Sequence, residues 1–302
     1  MSIKSEVLKW KYAKFLENSN YKFNKNNILK ILSKKDIDDA YKTISEWEGY
    51  HSTPLVSLNK LSEELNNSIK IRNAEYRYGD NFLFNKIDID LLCGTTNCLL
   101  GVSGIGKSTL LKLIGGLIFS TKMEITGLTE RPAYMAQEDL LLPWLTALDN
   151  VILGAKLRGK FADKDKAQKL LAKVGLESHF NKRPDQLSGG MRQRVALART
   201  LMENKNLVLM DEPFSSLDTF NRHRLQELTA ELLFKKTVLL VTHDPLEALR
   251  LGNRVLIMRG KPCRLSELKL FGLSKVPRDI TDSKLLQHHA ELLRSLSLDV
   301  IE

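Results

Sequence analysis

Cysteine is scarce in this chain: Cys93, Cys98 and Cys263 are the three among 302 residues. They are too few and too scattered for a disulfide framework or a zinc site. Two of them flank a short apolar stretch, where a buried, inert thiol is expected. Long apolar runs are missing as well. No segment approaches the ~20 consecutive apolar residues of a membrane span, and the N-terminus has no signal-peptide apolar region. A reducing compartment is therefore expected, with any role at a membrane coming through a partner. Acidic residues are in deficit, 36 against 46 Lys and Arg, which leaves a formal charge of +10. That balance admits a nucleic-acid or anionic-membrane partner. General lysine enrichment, visible in stretches such as Tyr21-Lys22-Phe23-Asn24-Lys25-Asn26-Asn27, is the favoured explanation. The length leaves room for one large or two modest domains with ample core.

Against these absences stands Gly101-Val102-Ser103-Gly104-Ile105-Gly106-Lys107-Ser108, followed by Thr109. A glycine, four residues and then Gly-Lys-Ser is the P-loop pattern, and its context supports it. Cys98-Leu99-Leu100 reads as a buried strand running into the loop. Leu110, Leu111, Ile114, Leu117 and Ile118 recur at helical spacing after it. The glycines let backbone N–H groups converge on phosphate oxygens. The helix N-terminus adds roughly half a positive charge. Lys107 is expected to reach the β- and γ-phosphates and the Ser108 hydroxyl to sit on Mg²⁺. The stretch predicts a nucleoside triphosphate site.

Residues 1–67 differ from the rest. Ser5 to Leu16 and Asn27 to Ile44 carry weak helical periodicity between Lys/Asn-rich stretches. Residues 47–58, with Gly49-Tyr50 and Thr53-Pro54-Leu55-Val56-Ser57-Leu58, resemble the opening of fold-type II pyridoxal-phosphate enzymes, diaminopropionate ammonia-lyase above all. That resemblance spans about Ala40 to Leu65 and stops near Ser68, before any cofactor lysine or phosphate loop. An extension without pyridoxal chemistry is expected; a helical, partly disordered extension of chance similarity is the alternative. From Ile69 the pattern becomes extended, with a turn at Gly79-Asp80-Asn81. Tyr78, just before that turn, is the candidate to stack on an adenine ring, or else an aromatic packed on a sheet face. Further on, Ala133-Tyr134-Met135-Ala136 predicts a short strand ending at Gln137, placed to touch Mg²⁺ and the attacking water. The apolar run Leu140 to Leu145 after it reads as a docking surface or as the core of a helical subdomain.

Leu187-Ser188-Gly189-Gly190-Met191-Arg192-Gln193-Arg194 supplies a second helix start with open amides. Ser188 is a good N-cap, and Val195, Ala198, Leu201 and Met202 give the helix an apolar face. Two phosphate cradles in one chain suggest two different nucleotides, as a head-to-tail pair of subunits would arrange. With these residues the sequence resembles an ATP-binding cassette ATPase over about Ile69 to Leu265.

The resemblance implies an α/β fold: a RecA-like P-loop NTPase core, an antiparallel β subdomain and a helical subdomain over about Glu138 to Met202. It implies that Ser188, Gly189, Gly190 and Gln193 contact the ATP of a partner subunit. Leu207-Val208-Leu209-Met210 would be a strand buried on both faces. It ends at Asp211, which would hold Mg²⁺, and Glu212, the general base. Ser216-Leu217-Asp218 would serve communication between subunits, and His243, after the strand Thr237 to Val241, would orient the water and Glu212. The expected domains are an extension at 1–67, an ATP-binding domain at 68–265 and a tail at 266–302.

Within that family, residues 133–151, 242–249 and 277–280 resemble importer cassettes of the nitrate/sulfonate/taurine group, and most the branch handling the hydroxymethylpyrimidine precursor of thiamine. Ser120 to Pro132 is short for the group, so its small hairpin is expected to be trimmed. The resemblance implies a homodimer using ATP and Mg²⁺ at the cytoplasmic face of the bacterial inner membrane. A separate permease and a periplasmic substrate-binding protein would be its partners, and no nucleic acid is expected. Two rivals differ in kind. A cassette regulating nucleic-acid machinery would be stimulated by RNA or DNA, and a fused pyridoxal enzyme would show a Schiff-base absorbance band.

Overall fold

The computed structural model describes residues 68–298 apart from Thr121, Ser216 and Ser274. The expectations for residues 1–67, pyridoxal resemblance included, lie outside the described residues, as does Ser216. The first strands are β1 (Ser68–Tyr78) and β2 (Asn81–Leu92), joined through the turn at Gly79, whose φ of +61° suits glycine. They pair antiparallel, and the three-residue strand β4 (Glu124–Thr126) adds to the other edge of β1. Where a hairpin was expected to be trimmed, a single short strand remains.

The main sheet takes its strands out of chain order. β3 (Thr96–Leu100), β5 (Ala133–Met135), β6 (Leu207–Asp211), β7 (Thr237–Thr242), β8 (Arg254–Arg259) and β9 (Arg264–Leu268) lie in the order β5-β6-β7-β3-β8-β9. All neighbours are parallel except β8 and β9. Parallel strands must be covered on both faces, and the side chains divide with period two. Leu99, Leu207, Leu209, Leu239, Val241, Leu256 and Met258 join the core shared with β1, β2 and helix α1 (Lys107–Ile114). Cys98, Leu100, Val208, Met210, Val238, Leu240, Val255 and Ile257 join the core on the opposite side. The cysteines of β3 and the β8–β9 turn are buried, and burial pushes their thiols up, to about 11 for Cys263.

The helical segment contains α2 (Ala147–Val151), α3 (Leu153–Leu157), α4 (Lys164–Lys173) and α5 (Gly189–Met202). The two readings of the 140–145 run divide by residue. Leu141 is buried, whereas Leu140 and Trp144 are exposed. After it come α6 (Thr219–Leu232), α7 (Pro245–Leu251) and α8 (Ser283–Leu298). Among the described residues no helix is long and apolar enough to cross a membrane.

The expected boundary at 265/266 falls inside β9, and the chain beyond it is fastened to α7. Arg278 is 6% exposed and donates through Nη1 to the carbonyls of Leu249 and, at 2.8 Å, Gly252. These are the otherwise unpaired carbonyls of a helix end. Arg250 returns the contact, its Nε donating to Arg278 O at 3.0 Å. Arg278→Met removes the donor and leaves those carbonyls buried. It should cost roughly 3 kcal/mol in urea unfolding; a change within experimental error would show the fastening to be dispensable.

Candidate active site

The P-loop connects β3 to α1, and its backbone explains its glycines. Gly104 and Gly106 have φ of +80° and +107°, left-handed values that a Cβ disfavours. Gly101 has an ordinary φ, but a Cβ there would stand 3.0 Å from the Met258 carbonyl. Gly106 caps α1, so the first amides of that helix open toward the loop. The Lys107 side chain is 4% exposed, and its Nζ donates to Gly101 O at 2.8 Å and Val102 O at 3.0 Å. Burial pushes its pKa below the usual lysine range, while Glu212 and Asp211 act in the opposite sense.

Six charged or polar side chains, from the start of α1 and from β5 and the ends of β6 and β7, meet here. Ser108 Oγ donates to Asp211 Oδ1 at 2.9 Å, and Tyr134 Oη lies 3.4 Å from Asp211 Oδ2. Burial raises the Asp211 pKa, Glu212 adds to the rise, and the Ser108 bond opposes it. Glu212 points one oxygen at His243 Nδ1, 2.9 Å away, and holds the other 3.9 Å from Lys107 Nζ. Its backbone is strained: φ is +45°, rare for a non-glycine residue, while its N–H bonds Val241 O at 2.9 Å. A side chain held this way is aimed by the ends of two buried strands.

A cavity of about 290 Å³ opens in front of this group, lined by Ser103, Gly104, Gly106, Lys107, Thr109 and Gln137 among others. Ser108 and Glu212 also line it. The structure thus brings Lys107, Ser108, Gln137, Asp211, Glu212 and His243 together. Tyr78 is 83% exposed and does not line the cavity. Nor do Ser188, Gly189 and Gly190, which start α5 with Ser188 Oγ accepting from Met191 N at 3.2 Å. Gly190 sits against Leu217, where a Cβ would come within 3.0 Å. Asp218 caps α6 by accepting from Asn221 N at 3.0 Å.

One expected contact turns inward. Gln193 is 3% exposed and its amide donates to Pro213 O at 2.9 Å. Lying one turn into α5 on the core-facing side, it braces the turn after Glu212 instead of facing another subunit. Residue patterns also passed over several contributors. Tyr134, within a recognised strand, bonds Asp211, and Arg199 holds the carbonyls of Asp139 and Leu140 at 2.6 and 2.8 Å. Arg199 lies on the polar face of α5, where sequence gives no hint of a partner about sixty residues earlier.

A family pattern described as ABC transporter matches residues 84–215. An uncharacterized ABC transporter ATP-binding protein of Haemophilus influenzae is 43% identical over 76% of this chain and 98% of its own length. Two proteins named as aliphatic sulfonates import ATP-binding proteins are each 38% identical. SsuB 1 of Pseudomonas syringae matches over 75% of this chain and 94% of its own length. SsuB 2 of Rhodococcus jostii matches over 77% and 94%. The ATP-binding cassette MJ0796, solved as a post-hydrolysis dimer bound to ADP and Pi, is similar with a TM-score of 0.58 at 31% identity. That similarity covers 67% of this chain and 100% of the other. The chain belongs to the ABC transporter family and is one of its ATP-binding, ATP-hydrolysing subunits.

Proposed function

We propose that this chain is the motor of an importer for a small organic anion of the aliphatic sulfonate class, acting as a homodimer on a separate membrane permease. The observation that carries the chemistry is the Glu212 carboxylate, aimed by a strained backbone between His243 and Lys107. Glu212 takes the proton of a water attacking the γ-phosphorus of ATP, and the bond from that phosphorus to the bridging oxygen breaks to leave ADP. Lys107 leaves its carbonyl partners for phosphate oxygens, while His243 fixes the Glu212 carboxylate through the 2.9 Å contact. Ser108, Asp211 and Gln137 offer hard oxygen donors that suit Mg²⁺. Bound there, the ion would neutralise charge on the β- and γ-phosphates.

Ser188–Gly190 stand outside the P-loop cavity, which fits a role toward the nucleotide of a second copy. The dimeric cassette MJ0796 supports that pairing, and the exposed Leu140 and Trp144 offer a surface for the permease. A substrate-binding protein outside the membrane would deliver the anion, with this chain peripheral on the cytoplasmic face. In the same reading, residues 68–265 carry the ATP site, 1–67 form an extension, and the segment from 266 supports α7.

The sulfonate class rests on the two relatives at 38% identity. Uptake of the hydroxymethylpyrimidine precursor is the second reading, favoured by the 133–151 run and the 277–280 segment. The test is uptake of labelled ethanesulfonate and of labelled hydroxymethylpyrimidine by cells lacking this chain. Complementation with wild type, and not with Glu212→Gln, should restore sulfonate uptake. Restored pyrimidine uptake alone would favour the second reading, and restoration of neither would reject both.

A further inference from the structure

Behind His243 lies a carboxyl that the hydrolysis scheme leaves unused. Glu247 sits in the first turn of α7 and is 5% exposed. When Asp caps a helix, a glutamate three residues on ordinarily reaches back to the N–H of the cap. Here that donor is taken, because Asp244 N–H bonds the Thr242 hydroxyl at 3.0 Å. Glu247 Oε1 is buried with no hydrogen-bond partner.

A matching donor stands nearby on α6. Arg222 uses Nη2 to bond Leu217 O at 2.9 Å and holds Nη1 3.8 Å from Asp244 Oδ2, yet its Nε is buried without an acceptor. Arg222 lies close enough to Glu247 to favour its carboxylate. One acceptor and one donor are thus unmatched between two helices whose first turns follow Asp218 and His243. Buried polar atoms are nearly always paired, so such exceptions call for a physical reason.

We propose that Glu247 and Arg222 are positioning residues coupling the Asp218 turn to the His243 loop, through a bond from Arg222 Nε to Glu247 Oε1 that forms when that turn is pressed by a second copy. The coupling rests on the dimeric ATPase reading above. Arg222 already grips the turn at Leu217 O, so movement there carries the guanidinium toward α7. Glu247 then draws α7, with Asp244 and His243 at its start, into one fixed position.

The charge on Glu247 decides when this happens. Burial holds its pKa up at about 8, helped by Asp244 and Glu212, while Arg222 and the Thr242 hydroxyl lower it. Cys98 faces it from β3 and is itself kept a thiol by burial. At pH 7 the carboxyl is mostly neutral, and forming the ion pair releases its proton to solvent. At pH 9 it is already ionised, so the bond forms without that step.

The test compares the full chain with Glu247→Gln, whose amide has the same shape and does not titrate. The ratio of wild-type to variant ATP turnover should rise about tenfold from pH 7 to pH 9, one pKa unit's worth of ionisation. A ratio that stays flat, with both proteins folded, would mean a purely structural carboxyl and would overturn the coupling. Hydrogen exchange separates this from failure of the ATPase reading. At pH 9 with a non-hydrolysable ATP analogue, in the fraction that gel filtration shows to be dimeric, Glu247→Gln should lower protection of the Ser215 and Leu217 amides, a full helix away. Unchanged protection there overturns the coupling even if neither protein hydrolyses ATP.

Discussion

Glu212→Gln should lower ATP turnover by roughly 10²–10⁴-fold, the contribution of a positioned general base. Glutamine keeps the shape and can still meet His243 Nδ1, at 2.9 Å in the wild type, but it cannot accept the proton of the attacking water. The backbone strain at φ +45° is the same for both side chains, so folding stability should hardly change. Removing a charge 3.9 Å from Lys107 also reduces repulsion of a bound γ-phosphate. ATP should therefore persist, and gel filtration in ATP and Mg²⁺ should show a dimer for the variant and a monomer–dimer exchange for wild type. Turnover within a few-fold of wild type would assign the proton to another group.

Lys107→Met should cost roughly 3–5 kcal/mol of nucleotide affinity, the usual effect of removing one partner from a buried charge pair. That corresponds to between two and four orders of magnitude in Kd, readable by titration with a fluorescent ATP analogue. Stability should move far less. Burial lowers the pKa of Lys107, so the folded chain holds the ammonium less favourably than the unfolded chain does at neutral pH. The sign follows: a folded pKa below the unfolded value makes the charged lysine a destabilising contribution at low pH that fades as pH rises through the folded pKa. Methionine ends that contribution but leaves the Gly101 and Val102 carbonyls without their donor, so the two effects offset and the thermal midpoint should stay within a few degrees of wild type at pH 7. A variant that loses binding by unfolding would lower the midpoint and contradict this account.

Strand-borne features were readable from residue order because their causes are local. Leu207–Met210 is apolar at every position since both faces of a parallel strand are covered, and Asp211 and Glu212 follow where the chain must leave the sheet. The P-loop glycines answer to positive φ and close backbone approach, which leave a mark in the sequence. Gln193 misled because position along a helix says nothing about rotation; only packing of α5 turns it toward Pro213. The Arg278 fastening was hidden for a related reason. An arginine in a polar stretch reads as solvated until the helix end it caps, 26 residues away at Gly252, is brought beside it. Sheet order was likewise beyond reach, since every apolar strand fits next to every other until the crossovers are known.

That order has a consequence for the nascent chain. The β1–β2 hairpin closes through a tight local turn and can form as soon as it leaves the ribosome. β3 cannot: its partners are β7 and β8, with Thr96 opposite Val238 and Asn97 opposite Arg254. The strand that feeds the P-loop waits for about 140 further residues, or roughly 7–28 s at ~5–20 residues per second. Through that interval Cys98, Leu99 and Leu100 remain without sheet neighbours on either side, an apolar edge open to aggregation. Production in the cell should thus respond to translation speed between residues 100 and 240 and to the supply of a holding chaperone, much more than to changes within the hairpin.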